Sequence, residues 1–305
     1  LYLAALYTNS YMPQQGQWDK MNETERTIFK DIPFILESYH YIGKPKMVDA
    51  IRANNSKVFL DSGAFSAMSI GAEIGIDGYC DYIATNCDII QHDDGVMMAS
   101  VLDGIGDPLL TYQNQIYMEG KGVTPLPCFH FGEDERYLEW YVENYPYITI
   151  GGLVKKKVSD VTSWLDRIWE RYLIDGSGAP KLKVHAFGVT TTSLMMRYPW
   201  YSVDSSSWIQ NASFGDAYTS QYGNVPISDK NPLRHTRGQH LTTMTDIERV
   251  KLEAYFEERG FSCERLSTAY QSRAAACALG YQELSQQINA SPPALYEFQT
   301  RQQLF

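Results

Sequence analysis

Short apolar runs that each stop at small polar or Gly residues, separated by stretches of helical periodicity, constrain this chain more than any single motif. There are eight such runs: residues 2–6, 33–36, 58–60, 96–102, 125–131, 147–150, 183–189 and 200–203. Runs this short and this continuously apolar read as buried strands. Between them, 133–144 carries Tyr137, Leu138 and Tyr141 at helical spacing. A second stretch, 159–173, carries Val161, Trp164, Leu165, Ile168, Trp169 and Leu173, with Ser159 or Asp160 as its cap. Alternation of strand and helix implies parallel pairing, because a parallel neighbour needs a crossover long enough to hold a helix. Eight such units predict an α/β fold of the (β/α)8 TIM-barrel type, whose chemistry sits at the carboxyl ends of the strands. A doubly wound open sheet is the alternative arrangement of the same elements.

After Asp204 the character changes to a polar, aromatic loop through Asn211, Phe214, Tyr218 and Tyr222, and then to a locally basic stretch with Lys230, Arg234 and Arg237. A capping box of Thr245 and Glu248 starts a helix that Gly260 stops, and an Ala-rich helix over 267–279 ends at Gly280. The expectation is one domain over 1–305, with a barrel core over about 1–260 and accessory C-terminal helices over about 261–305. The tail from Ser291 onward reads as a surface strap.

A net charge of −10 argues against indiscriminate coating of nucleic acid, which draws its affinity from many phosphate-neutralising cations. Local contacts remain open to Lys155, Lys156 and Lys157, although a solvated charge run is the plainer reading of those three. The five cysteines are scattered with no C-x-x-C pair, which gives neither a disulfide framework nor a zinc knuckle and points to reduced thiols. No apolar run has the roughly 20 residues that cross a bilayer, and residues 1–6 lack the basic flank and length of a signal peptide. A cytoplasmic protein is expected, with no membrane partner.

Three aspartates close three of the apolar runs: Asp61, Asp103 and Asp204. Asp61 opens Ser62-Gly63-Ala64-Phe65, where small residues let the backbone approach a flat ligand, Ser62 has a donor to offer and Asp61 supplies a proton acceptor. The competing reading is an Asp that caps the following turn. Gly151-Gly152-Leu153 ends another run in paired glycines whose peptide N–H groups can read a carbonyl or an anion, but without the order of a dinucleotide fingerprint. His130 lies at a strand end and reads as a base or substrate contact, whereas His185 lies inside an apolar run and reads as a satisfied core histidine. Neither has the metal-ligand spacing of a known zinc motif. Asp204 suits a nucleophile attacking a carbon with developing positive charge, since a solvated aspartate is ionised at neutral pH and needs no activating base. A helix cap near Ser205 is its plainer reading.

Taken in order, these pieces resemble the tRNA-guanine transglycosylase superfamily over roughly Lys57 to Trp208. Asp61-Ser62-Gly63-Ala64-Phe65 is similar to that family's D-S-G-G-[FY] motif, with Ala64 in place of the second Gly. Asp103 falls where the family places an aspartate that reads the guanine edge, and His130 where a base-contacting Gln is common. Gly151-Gly152-Leu153 matches its G-G-L, Ala186-Phe187-Gly188-Val189 its strand ending in G-V, and Ser202-Val203-Asp204-Ser205 the segment bearing the nucleophile. The family's C-x-C-x-x-C zinc motif is absent, only Cys263 and Cys277 lying in that region, so neither zinc nor any other cofactor is implied. A basic C-terminal module is absent too, which makes the chain more similar to the DNA-acting, DpdA-like branch of bacteria and phages.

The resemblance implies a base exchange in which a 7-deazaguanine, expected as the 7-cyano form preQ0, replaces guanine in DNA through a covalent aspartyl-sugar intermediate. It makes Asp204 the nucleophile and Asp61 the general acid/base, with Ser62, Gly63, Asp103, His130, Gly151, Gly152 and Leu153 around the base. Lys155, Lys156, Lys157, Lys230, Arg234 and Arg237 are the candidate phosphate contacts, and the host cytoplasm is the location if the protein is phage-encoded. The same exchange on tRNA, a non-catalytic nucleic-acid-binding barrel subunit, and a hydrolase that leaves an abasic site are the alternatives.

Overall fold

The structure, a computed structural model, describes residues 1–189, 191–290 and 295–297. Its strands are β1 (Tyr2–Ala4), β2 (Ile35–Ser38), β3 (Val58–Asp61), β4 (His92–Asp93), β5 (Val96–Met97), β6 (Cys128–His130), β7 (Tyr147–Gly151), β8 (Lys183–Ala186), β9 (Ser202–Ser205), β10 (Asp216–Thr219) and β11 (Gly223–Pro226). Seven of them build one parallel sheet in the order β3-β2-β1-β9-β8-β7-β6. The expected closed eight-stranded barrel is not formed: this is an α/β fold whose sheet stays an open half-barrel with its edges 10 Å apart.

The missing strand is the run 96–102. Asp94 and Gly95 both take left-handed backbone angles, φ 48° and 83°, as the two central residues of a primed hairpin turn require. That turn folds β5 back on β4 in an antiparallel pair, with His92 opposite Met97 and Asp93 opposite Val96. Beyond it the buried residues Met98–Val101 make only isolated bridges, Leu60 to Ala99 on one side and Ser100 to Leu126 on the other. Apolar content placed this segment inside the molecule, but the Asp-Gly turn took its first residues out of the sheet.

Contacts divide the described residues into two compact units: one of Leu1, 3–35 and 206–290, the other of Tyr2, 36–189, 191–205 and 295–297. In the first, the helix Tyr270–Asn289 packs on the helix Ser207–Phe214 and on β10, which pairs antiparallel with β11. Ala274, Ala275, Ala276 and Ala278 are buried along that helix, so its backbone comes close to its neighbours. Gly280 is part of this contact and not a stop. A Cβ there would lie 2.5 Å from the Tyr218 carbonyl oxygen, while Tyr218 and Tyr281 stack with centroids 4.2 Å apart. The capping box on Thr245 forms as the sequence indicates, before the helix Asp246–Glu257. Glu25, fully buried, serves the capping box on Asn22 and also takes both nitrogens of Arg265 at 2.6 and 2.7 Å.

In the second unit the helices Glu135–Asn144 and Val158–Ile168 follow β6 and β7, the latter helix starting from Lys157 without a side-chain cap. Of the strap from Ser291, residues 291–294 and 298–305 lie outside the described residues; within 295–297, the Tyr296 N–H donates to Gly178 at 2.9 Å and its hydroxyl to Glu170 at 3.0 Å. Among the described residues no helix is long and apolar enough to cross a membrane, and all five cysteines are free thiols.

Replacing Gly280 by Ala is expected to destabilise the fold by about 1–3 kcal/mol, because the added methyl meets backbone that cannot turn away. Urea unfolding of the variant against wild type measures it; an unchanged midpoint would show that the hairpin yields.

Candidate active site

Parallel pairing of β6, β7, β8 and β9 brings their carboxyl ends to one edge of the sheet, where open α/β sheets place their ligands. Asp61 ends β3, His130 ends β6, Gly151 ends β7, and Asp204 lies next to the end of β9. Every strand-end residue expected at the site therefore falls in one compact unit.

Asp61 is clamped through one oxygen. Its Oδ2 accepts the Ser38 hydroxyl at 2.7 Å and the Gly63 N–H at 3.0 Å, the second closing the turn that the capping reading anticipated. Gly63 holds φ 77°, and a Cβ on it would sit 2.7 Å from His40 Cβ, so no other residue fits. Ser62 is fully buried and builds the turn: its N–H donates to Ser100 Oγ at 2.9 Å and its hydroxyl accepts the Ala64 N–H at 3.3 Å. Burial, followed by the nearby Asp103 and then Asp204, pushes the Asp61 carboxyl up to about 7 despite the donors of Ser38 and Gly63.

Asp204 is 7% exposed and does not cap the helix Ser207–Phe214, whose N-cap residue is Ser206. Its Oδ1 accepts the Gly188 N–H at 2.9 Å. Gly188 turns at φ 68° directly after β8, and a Cβ there would collide with Val154 at 2.5 Å. His185 Nε2 faces the same Oδ1 at 3.4 Å without a well-formed hydrogen bond. Its Nδ1 lies 2.8 Å from Ser202 Oγ, which in turn lies 2.8 Å from the Tyr147 hydroxyl. Phe59, Phe187 and Tyr2 surround the ring, and burial lowers its proton affinity even against the pull of Asp204. His185 is thus buried as expected, and it also touches the proposed nucleophile, a relation that a reading of apolar runs does not reveal.

His130 stands between two acids. Glu133 accepts its backbone N–H through Oε2 at 2.9 Å and faces Nδ1 through Oε1 at 3.1 Å. On the other side Nε2 lies 3.7 Å from Asp103 Oδ1 and 3.5 Å from Cys128 Sγ. Burial lowers the proton affinity of the ring, but Cys128 and Asp103 outweigh it and raise the pKa strongly. Asp103, Cys128 and His130 offer ligand atoms that all lie within 4.8 Å of one another. The tight backbone of Gly151 and Gly152 packs against this strand: Gly151 accepts the Phe131 N–H at 3.0 Å and Gly152 takes φ 73° beside it, with Leu153 buried behind.

Lys155, Lys156 and Lys157 follow in an exposed loop, Lys156 over the Phe131 ring at 5.5 Å. Lys230, Arg234 and Arg237 belong to the other compact unit, and Arg234 is engaged by Asp229 through the carbonyl at 2.8 Å and the carboxylate at 3.3 Å. Ser38, Cys128 and Glu133 complete the arrangement without having been expected. Tyr79, whose hydroxyl donates to the Ser100 carbonyl at 2.9 Å, lies within electrostatic reach of Asp61 and Asp103.

No protein-family model and no curated protein matches the chain. The superfamily resemblance therefore gains no support beyond its own motifs. The closed barrel that accompanied it is replaced by the open sheet, and the barrel and transglycosylase labels drawn from that family do not carry over as findings.

Because the folded protein keeps Asp61 protonated up to about pH 7 while an unfolded chain releases that proton near 3.8, the fold loses stability as pH rises between those values. Asp61→Asn keeps the shape and removes the ionisation. It is expected to flatten the pH dependence of the melting temperature over that window and to gain on the order of 1–3 kcal/mol at pH 8. A variant with the wild-type slope would place the burden on another group.

Proposed function

We propose that the chain is a base-exchange glycosyltransferase that replaces guanine in DNA with a 7-deazaguanine, preQ0 being the expected donor. The observation that carries this reading is a carboxyl poised near neutrality, Asp61, held electrostatically against an anchored second carboxylate, Asp204. Two carboxyl groups in unlike environments divide the roles of proton carrier and nucleophile.

The target nucleotide is rotated out of its stack, since C1′ is out of reach of a buried carboxylate inside a duplex. The free oxygen face of Asp204 attacks C1′ while the C1′–N9 bond breaks and its electron pair passes to guanine, which takes the proton of Asp61. The sugar is then an ester of Asp204. The incoming 7-deazaguanine gives its N9 proton to the Asp61 carboxylate and attacks C1′, the ester bond breaks, and Asp204 is regenerated. Two displacements retain the configuration. Gly188 holds Asp204 Oδ1 through both steps, and neutral His185 beside it offers a donor as the ester forms and leaves. Asp103, His130 and the Gly151-Gly152 backbone line the same edge, where the base is held. The exposed Lys155, Lys156 and Lys157 accompany the strand's phosphates, and free thiols on all five cysteines suit a cytoplasmic setting.

Release of labelled guanine from DNA in the presence of preQ0 tests the proposal, with tRNA in parallel. Asp204→Ala is expected to reduce release at least a thousandfold, about 4 kcal/mol of barrier. In single turnover, release by the wild type falls as pH rises through about 7, because protonated Asp61 is the donor. Release from tRNA alone moves the reaction to that substrate, an abasic product makes it a hydrolase, and silence on both substrates overturns it.

Neutralising Lys155, Lys156 and Lys157 together is expected to weaken DNA binding and to flatten its salt dependence by about 0.7–0.9 in the log–log slope per lost phosphate contact. An unchanged slope removes the loop from the interface.

A further inference from the structure

We infer that Asp103, Cys128 and His130 form a three-ligand site for a divalent transition-metal ion of the zinc class, with a fourth position left for an exchangeable ligand. Cys128 and His130 are two apart on β6, and residues two apart on a strand point to the same face. Asp103 reaches them from the segment that bridges Ser100 to Leu126, next to that strand.

Two of the three ligand-to-ligand edges are near those of a single ion, and the third, from Cys128 to Asp103, is within 4.8 Å. Sγ and Nε2 are 3.5 Å apart, and Nε2 and Oδ1 are 3.7 Å apart. Zinc bonds of about 2.3 Å to sulfur and about 2.0–2.1 Å to nitrogen and oxygen, at tetrahedral angles, set ligand-to-ligand edges of about 3.3–3.6 Å. The histidine is oriented for the task. Glu133 engages Nδ1 at 3.1 Å, which places that nitrogen's proton on the carboxylate side and turns Nε2 toward Asp103 and Cys128. This is the outer carboxylate that metal-bound histidines carry.

Asp103 supplies an independent observation. Its side chain is 9% exposed, and its Oδ1 is buried with no hydrogen-bond partner although it faces His130 Nε2 at 3.7 Å. When the ring carries its one proton on Nδ1, the Nε2 lone pair against this carboxylate is repulsive, and a cation between them relieves it. A second proton on His130 is the competing occupant. It engages Asp103 and also the Cys128 sulfur 3.5 Å from the same nitrogen, so metal and proton compete for one position and titration with cobalt(II) separates them. Gly151 keeps the space clear: a Cβ there would stand 2.8 Å from the His130 ring and 3.3 Å from Cys128 Sγ. Sulfur, imidazole and a single carboxylate select zinc, or cobalt in its place, over magnesium or calcium.

The site goes beyond the proposed base exchange and does not depend on it. With the ion bound, Asp103 and His130 hold the metal, and a nitrogen or oxygen lone pair of a ligand at the same sheet edge takes the open position. Loading requires the Cys128 thiol to release its proton to solvent as the metal–sulfur bond forms.

The test uses the full chain, stripped with a chelator and titrated with cobalt(II) alone. A thiolate-to-cobalt charge-transfer band and the visible bands of a four-coordinate ion are expected at one equivalent. Cys128→Ser abolishes the charge-transfer band, Asp103→Asn and His130→Ala weaken binding at least a hundredfold, and Glu133→Gln weakens it about 10–100-fold. Cys87→Ser, at an exposed free thiol, leaves the spectrum unchanged. The wild-type titration stands whether or not a variant folds. No charge-transfer band in folded wild type, or a band that survives Cys128→Ser, overturns the site. Base exchange by fully stripped protein that also shows no band overturns the metal alone, whereas a normal band in a protein that releases no base upholds it and counts against the exchange.

Discussion

Like charges in a poorly hydrated place cannot all be ionised, and this constraint organises the carboxyl edge of the sheet. Asp103 and Asp204 both act on Asp61 across it, and the fold answers each differently. Asp61 keeps a proton up to about pH 7. Asp204 is given a backbone N–H from Gly188, a donor that costs nothing to reorient because the turn after β8 already fixes it. Asp103 receives no donor on its buried oxygen and faces His130 instead. Removing Asp103 or Asp204 would ease the load on Asp61, so the three form one electrostatic unit centred on Asp61.

That unit has a stability cost, which is borne by backbone geometry. Gly63 and Gly188 adopt left-handed angles with a neighbour where a side chain would be, His40 Cβ in one case and Val154 in the other. Each glycine serves a carboxylate: the first closes the turn on Asp61, the second donates to Asp204. The parallel register of β6 through β9 then carries these local turns to a common edge. In the other compact unit, Glu25 with Arg265 and the Ala-lined helix against β10 show the ordinary means by which the chain recovers stability.

What was legible in the sequence was local. Runs of apolar residues ending in polar ones located seven strands and the residues at their ends, because burial and strand termination leave their mark in a few adjacent positions. The run 96–102 misled because hydrophobicity reports burial and not pairing, while the Asp94-Gly95 turn that decided its pairing was there to be read. Ser38 was missed because β2 runs two residues past the apolar stretch, and Gly280 was misread because a close approach to Tyr218 is a fact of tertiary structure. The pair Cys128 and His130 was passed over for a subtler reason. The pair matches no C-x-x-C or known zinc-motif spacing, whereas on a strand an interval of two suffices, and its third partner comes from 25 residues upstream.

His185 shows how the bland and the functional readings of a residue become one. It is fully buried in an aromatic box, which keeps it neutral, and a neutral ring can hold a proton on only one nitrogen. If the chain from Tyr147 through Ser202 donates to Nδ1, the proton must sit on Nε2, facing Asp204. The arrangement then holds a weak donor 3.4 Å from the Asp204 carboxylate, close enough to steady it and too far to quench it. A buried core histidine and a neighbour that steadies Asp204 are therefore the same side chain: the aromatic packing keeps the ring neutral, and the Ser202 contact at Nδ1 sets which nitrogen carries the proton.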